Sequence, residues 1–453
     1  MALAVVIVIL VVGSVIFHFA SPWWFTDIAA DWGSVDFVVD LTFWISGFVF
    51  ITINLFLAYC IYKFRQKDGH KAVYEPENTK LEVSLSVVTS IGVVLMLAPG
   101  LFVWANFVSP PEDAHVVEII GQQWQWSYRY PGADGQLGSA DVKHISEINP
   151  WGVNPEDPAG QDDIVIDGPE FHLPVDLPVK TLLRSKDVLH NYTVAQFRVK
   201  MDLVPGMVTF LWFTPTKIGT YDILCEELCG IAHFMMRGKV VVEEQSDFDA
   251  WLAQQPTFAQ TQSAAAPDLN AGRQLYAGCA SCHGEQGEGN QALNAPKLAG
   301  LQSWYVQRQL KHFRVGARGV NDGDSAGAMM RPMAIALADD NAVRNVSAYV
   351  ASLSDVPAAS TIADANVRNG ARIYSRNCAA CHLDDASGTW YTDAPALAGM
   401  SDWYFVKQIT NFRNRIRGEH SADDYGEQMV HMATAMADLE EIEDVAAYIN
   451  SLR

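Results

Sequence analysis

Apolar residues are unevenly spread along this chain. They crowd into three long runs, at about 1–20, 38–62 and 81–108, and beyond residue 108 they alternate with polar residues as in water-facing domains. Each run is close to or above the ~20 residues a helix needs to cross a bilayer core, so three spanning helices are expected. The first run is short enough for a signal peptide. It lacks a basic start and a small-x-small cleavage site, which favours an uncleaved helix. Lys63, Arg65, Lys67, Lys71 and Lys80 lie between the second and third runs, whereas residues 21–40 carry Asp27, Asp31 and Asp36 and no basic residue. The positive-inside rule puts the basic loop in the cytoplasm and everything after about residue 109 on the outer face.

From 109 to 254 the pattern shortens to β-like runs at 116–120, 196–200, 207–213, 219–224 and 238–242, punctuated by Pro205-Gly206, Pro215 and Gly219. Runs of this length and spacing predict an antiparallel sandwich or barrel. Residues 255–267 are uncharged and poor in bulky apolar side chains, and read as a flexible linker. Beyond it the chain repeats itself. Cys279, Cys282, His283, Pro296, Trp304, Tyr305, Gln309, Phe313, Met330 and Met333 recur 99 positions later as Cys378, Cys381, His382, Pro395, Trp403, Tyr404, Gln408, Phe412, Met429 and Met432. Apolar residues at three- and four-residue steps predict a helix closing each repeat, at 341–353 and 440–452. The expected fold class is therefore multidomain: an α-helical transmembrane anchor (1–108), a β-sandwich domain (109–254) and two all-α domains (268–355 and 356–453).

The hydrophobic fraction of 49% is thus an average over an anchor and a soluble tail. A net charge of −21 excludes nucleic acid as a partner, because phosphates demand clustered Lys and Arg; it suits solubility or a basic partner. Of seven cysteines, Cys60 lies in an apolar run and the others pair tightly as Cys225/Cys229, Cys279/Cys282 and Cys378/Cys381. Such spacing points to metal or haem chemistry rather than to a disulfide scaffold.

Cys225, Cys229, His233 and Met236 supply two thiolates, an imidazole and a thioether within one short segment, and His190 adds a second imidazole from an earlier one. Soft sulfur with imidazole nitrogen is the donor set of copper electron-transfer sites. Cys279-x-x-Cys282-His283 and Cys378-x-x-Cys381-His382 each attach a haem through two thioethers and offer the proximal imidazole. A thioether as sixth iron ligand would raise the haem potential, and each repeat offers two: Met330 or Met333, and Met429 or Met432. His431 stands where the first repeat has Pro332, which adds a bis-histidine alternative in the second.

On these motifs residues 36–254 resemble subunit II of the haem–copper oxidases, a cupredoxin domain bearing the dinuclear CuA centre. The family pattern Cys-x-Glu-x-Cys-x-x-x-His-x-x-Met falls on Cys225, Glu227, Cys229, His233 and Met236, with His190 as the remaining ligand. The resemblance implies that Glu227 binds copper through its backbone carbonyl and reaches, through its carboxylate, a Mg or Mn site shared with subunit I. Gln123-Trp124-Gln125-Trp126-Ser127-Tyr128 resembles the aromatic stretch in which the first Trp, here Trp124, passes electrons inward. Glu82 resembles the glutamate at the mouth of a proton pathway, although Leu85 and Thr89 depart from the family context. Each repeat resembles a class I cytochrome c, whose spacing favours Met330 and Met429, and the pair resembles the di-haem bacterial cytochromes.

The whole is similar to subunit II of a caa-type oxidase with two fused cytochromes. That implies CuA and two covalent haem c as cofactors. It also implies subunit I and subunit III as partners, and an external donor: a soluble cytochrome c, a cupredoxin or a quinol-oxidising complex. Localisation would be the bacterial inner membrane, with the copper and haem domains periplasmic. Two rivals are a nitric-oxide-reducing relative and a membrane-anchored carrier without a catalytic partner. The acidic insertion at 132–167 reads as a guide for a basic donor or as an inert solvated loop.

Overall fold

The computed structural model describes residues 1–21, 26–69, 71, 76–263, 266–355 and 358–452. Helices α1 (Ala2–Ala20), α2 (Gly33–Lys63) and α3 (Thr79–Phe107) are long and apolar enough to cross a membrane, and their apolar windows are at most 11% buried. Apolar surface open on nearly all sides is what lipid, not water, would cover. α2 starts earlier than its apolar run because Asp36 sits favourably in the first turn. α3 starts where Asn78 accepts a hydrogen bond from the Leu81 amide.

The β domain rests on one end of these helices. Trp32 Nε1 donates to the Trp212 carbonyl (2.9 Å), Trp212 Nε1 donates to the Asn106 carbonyl (3.1 Å), and Arg198 pairs with Asp36 (2.6 Å). The start of α2 and the end of α3 therefore meet the same face. The basic loop leaves from the opposite ends of these helices.

Ten strands build the domain: β1 (His115–Gln122), β2 (Gln125–Tyr130), β3 (Ile164–Asp167), β4 (Glu170–Pro174), β5 (Val179–Ser185), β6 (His190–Val194), β7 (Val199–Leu203), β8 (Thr209–Phe213), β9 (Gly219–Cys225) and β10 (Arg237–Glu243). They form two sheets, ordered β3-β2-β1-β5-β8 and β4-β10-β9-β6-β7. Val117, Ile119, Trp126, Tyr128 and Leu211 of the first meet Phe171, Tyr192, Val194, Ile223 and Val240 of the second in one core. The sandwich is not wholly antiparallel, because β1 runs parallel to β5 and β4 parallel to β10. The apolar run at 196–200 is no single strand either. A 3-10 turn (Ala195–Phe197) and a left-handed Arg198 (φ 59°) interrupt it, which lets that guanidinium reach Asp36.

After α4 (Gln245–Leu252) comes the stretch read as a flexible linker, and its first half is docked. A capping box between Thr257 and Gln260 opens α5 (Phe258–Gln262). Phe258, 3% exposed, enters a cluster with Ile120, Trp151 and Val153, and the Phe258 amide donates to the Asp163 carbonyl (2.7 Å). Trp151, Val153 and Asp163 belong to the acidic insertion, so part of that loop is packed rather than solvated. Residues 264–265 of the linker lie outside the described residues.

The first haem-motif domain comprises α6 (Leu269–His283), α7 (Ser303–Val315), α8 (Ser325–Ile335) and α9 (Asp340–Ser352). The second comprises α10 (Val367–Asn377), α11 (Ala379–His382), α12 (Asp402–Arg413), α13 (Asp424–Thr434) and α14 (Leu439–Ser451). Caps repeat with the sequence: Asp324 and Asp423 open α8 and α13, and Asp339 and Asp438 open α9 and α14. Gly272 and Gly370 let the first and last helices of each domain cross closely. A Cβ there would lie 2.1 Å from the Asn345 carbonyl oxygen and 2.0 Å from that of Asp444.

Phe258→Ala removes the anchor of the docked segment, a truncation that costs roughly 3–5 kcal/mol at a fully buried site. Limited proteolysis should then cut faster between residues 255 and 268. Unchanged cleavage would contradict the docking.

Candidate copper and haem centres

The copper motif begins where β9 ends. Strand pairing sets Tyr192 of β6 opposite Cys225, which brings His190, at the start of β6, over the loop that follows β9. That loop turns back through a 3-10 turn (His233–Met235), and the Cys225 amide donates to the Met236 carbonyl across its base. Cys225 Sγ lies 3.8 Å from Cys229 Sγ and 3.2 Å from the Glu227 carbonyl oxygen. Cys229 Sγ lies 3.3 Å from His233 Nδ1 and 3.9 Å from Met236 Sδ. Donor atoms of His190, Cys225 and Cys229 all fall within 4.8 Å of one another.

His190 Nδ1 is buried without a hydrogen-bond partner, while Nε2 is held by Asp187 Oδ1 at 2.7 Å. One nitrogen is thus left free for a metal and the other fixed by a carboxylate, the usual outer-shell arrangement for a ligating histidine. Burial works to lower the His190 pKa, but the hydrogen bond to Asp187 and the negative charges of Asp187 and Cys225 outweigh it and the net shift is upward. The hydrogen bond from Cys229 holds the Cys225 thiol far below its ordinary range, and Cys229 is raised in turn. The pair therefore retains one proton between them when no cation is present. Two thiolates and two imidazoles alone would suit tetrahedral zinc. The Met236 thioether and the Glu227 carbonyl take the donor set beyond four and toward soft, sulfur-bridged copper.

Trp124 is buried, and its indole Nε1 donates to the Cys229 carbonyl at 3.2 Å. Gly230 (φ 123°) permits that approach, because a Cβ there would stand 2.9 Å from the Trp124 ring. Trp126 and Tyr128 lie fully inside the core, so the aromatic stretch serves packing and contact with the copper loop together.

Each cytochrome-like domain encloses an apolar cavity, of about 310 Å³ in the first and about 120 Å³ in the second. Cys279, Cys282, His283, Met330 and Met333 line the first, and Cys378, Cys381, His382, Met429 and Met432 the second. In both repeats the histidine Nδ1 faces a proline carbonyl at 2.8 Å, Pro296 or Pro395. That contact fixes a neutral tautomer with Nε2 free for iron. Burial lowers both histidine pKa values, that of His382 to about 4, so the ring stays unprotonated.

Arg318 and Arg417 line the two cavities, each with a buried Nε lacking a hydrogen-bond partner. Among the described residues neither has a carboxylate within ion-pair distance. Acidic groups of a bound haem match that excess of positive charge. Met330 and Met429 pack against their domain cores, whereas Met333 is 46% exposed.

Residues 115–244 match the family described as cytochrome c oxidase subunit II, periplasmic domain, and residues 269–354 and 367–453 each match cytochrome c. The alternative cytochrome c oxidase subunit 2 of Bradyrhizobium diazoefficiens is 58% identical over 57% of this chain and 94% of that protein. This chain belongs to the cytochrome c oxidase subunit 2 family. The cytochrome c oxidase subunit 2 of Cereibacter sphaeroides is 31% identical over 47% of this chain and 75% of its own length. Reduced cytochrome c4 of Pseudomonas stutzeri, a solved structure, is 26% identical, with a TM-score of 0.35, covering 42% of this chain and all of that one. This subunit 2 is thus a CuA-type subunit fused to two cytochrome c domains, with an electron-transfer role in an oxidase.

In this subunit 2, Glu227 is half-buried, with its carbonyl turned to Cys225. Glu82 is exposed in the first turn of α3, at the end remote from the copper loop. Asp187 was visible in the sequence only as a neighbour of His190. Its carboxylate also accepts from the amides of Gln123 (2.7 Å) and Val188 (2.7 Å), which ties the His190 ring to the aromatic stretch. Asp187→Asn should weaken copper retention about 10–100-fold against a competing chelator. Retention equal to the unaltered chain would remove Asp187 from that role.

Proposed function

We propose that this subunit 2 passes electrons from an external donor through two covalent c haems to a dinuclear copper centre, and on to the haem–copper site of a separate subunit I that reduces oxygen and pumps protons. The observation that carries this reading is the convergence of His190 from β6 with Cys225, the Glu227 carbonyl, Cys229, His233 and Met236 of the loop after β9. Copper held by these residues would supply a centre able to accept and return one electron. The chain's own residues do the rest. Asp187 orients His190, the sandwich fixes the loop, and Trp124 joins Cys229 to the cavity of the second cytochrome domain. In each cytochrome domain the buried histidine is held neutral for iron, and Met330 and Met429 would be the second protein ligands to it.

Subunit III joins the assembly in this reading. Glu227 contributes its carboxylate to a Mg or Mn site shared with subunit I, and Glu82 is the acid at the inner mouth of a proton path. In this reading all three helices cross the membrane and the copper and cytochrome domains lie in the periplasm; the apolar length of the helices and the basic loop at 63–80 support it.

Mild detergent purification tests the assignment. A large partner with a-type haem and oxygen uptake should co-purify with a chain that holds copper and two haem c. A chain that purifies without any catalytic partner would refute the subunit reading. Trp124→Ala should slow reduction of copper in stopped-flow mixing while copper content stays at the unaltered level. Unchanged kinetics would take Trp124 out of the path.

A further inference from the structure

The two cytochrome domains are not equivalent in place, and their difference orders the electron path. The second domain lies on the copper domain. Tyr391 OH donates to the Lys186 carbonyl (2.5 Å), Tyr425 OH donates to Asp167 (3.1 Å), and Gln428 Nε2 donates to the Trp124 carbonyl (3.4 Å). Phe234 of the copper loop meets the His431 ring edge-on, with centroids 5.9 Å apart. Cys381, a haem-attachment thiol, packs against the sandwich core, and Trp124 and Ala232 form part of the second cavity's wall. Among the described residues no copper-domain residue lines the first cavity, and its thiol Cys282 is exposed.

The repeat explains why only one copy docks. At positions 99 residues earlier, Tyr391, Tyr425, Gln428 and His431 are replaced by Ala292, Ala326, Met329 and Pro332. The first copy thus lacks these four polar side chains, and its Met329 is 62% exposed.

The first domain packs against the second. The two cavities share a wall of Tyr305, Gln309, Met400, Tyr404 and Gln408. Across it the repeats exchange equivalent bonds, with Arg318 donating to Gln408 (3.4 Å) and Arg417 donating to Gln309 (3.1 Å). Arg308 also pairs with Asp393 (3.2 Å), and Lys297 donates to the Gly399 carbonyl (3.0 Å).

We infer that the domain at 356–453 is the immediate donor to the copper centre, with Trp124 and the Cys229 backbone between them, and that the domain at 268–355 is the outer one that meets the external carrier. This rests on the electron-transfer reading above and adds its direction. With haem and copper bound, each electron that the second domain passed to the copper site would be replaced by one from the first domain, so that charge would balance at each transfer.

The test uses the full chain in its purified complex. Tyr391→Ala with Tyr425→Ala installs the residues that the first repeat already carries at those positions, so the domain fold is retained. Undocking turns a fixed contact into a tethered encounter. Flash-induced haem-to-copper transfer should slow at least about tenfold, with haem and copper contents unchanged. Amide exchange across 122–125 and 186–188 of the copper domain should rise by at least about tenfold, a readout independent of electron flow. The equivalent loop change in the first repeat, Gln291→Ala with Ala292→Ser, should move neither. Exchange and transfer that persist unchanged in the tyrosine variant, or a loss produced by the first-repeat variant, would overturn the order. If the unaltered complex shows no haem-to-copper transfer, the electron-transfer reading fails and the order falls with it. If transfer occurs but the tyrosine variant leaves it intact, only the order fails.

Discussion

Two thiolates 3.8 Å apart in a half-buried loop repel each other by about 4 kcal/mol at an effective dielectric of about 20. Without a cation, Cys225 and Cys229 resolve this by sharing a proton. With cations between them the same closeness becomes the reason to bind. Much of the domain serves to hold that pair together: the β6–β9 pairing that sets His190 above Cys225, the short turn that returns Met236 and His233, and the Asp187 carboxylate that aims the imidazole.

The same loop is also where the rest of the molecule converges. Trp124 touches it from the first sheet and Phe234 projects from it to His431, so the second cytochrome domain meets the copper domain beside its metal donors. A tethered donor benefits from high effective concentration even when undocked. Here the docked segment around Phe258 and the hydrogen bonds of Tyr391, Tyr425 and Gln428 replace tethering by a fixed contact.

The sequence made the chemistry legible where one short motif carries most of its donors. Cys225 to Met236 and the two Cys-x-x-Cys-His motifs needed only local spacing. The apolar runs and the 99-residue repeat made the anchor and the paired cytochrome domains legible as well. What stayed hidden depends on contacts between distant segments. The parallel β1–β5 and β4–β10 pairings join strands far apart in sequence. The docked α5 turns on one phenylalanine in a stretch otherwise poor in apolar residues. The docking face rests on four substitutions between repeats, at 391, 425, 428 and 431, whose meaning appears only beside Lys186, Asp167, Trp124 and Phe234. A repeat reveals shared chemistry through what it keeps, and here the division of labour lies in what it changes.

The most direct measurement is electron paramagnetic resonance of the purified, partly oxidised chain, with copper counted by elemental analysis. This account predicts two copper ions per chain and the hyperfine pattern of one unpaired electron shared equally by two copper nuclei, lost in Cys225→Ser. A single copper with a signal localised on one nucleus, or a signal that survives Cys225→Ser unchanged, would contradict it.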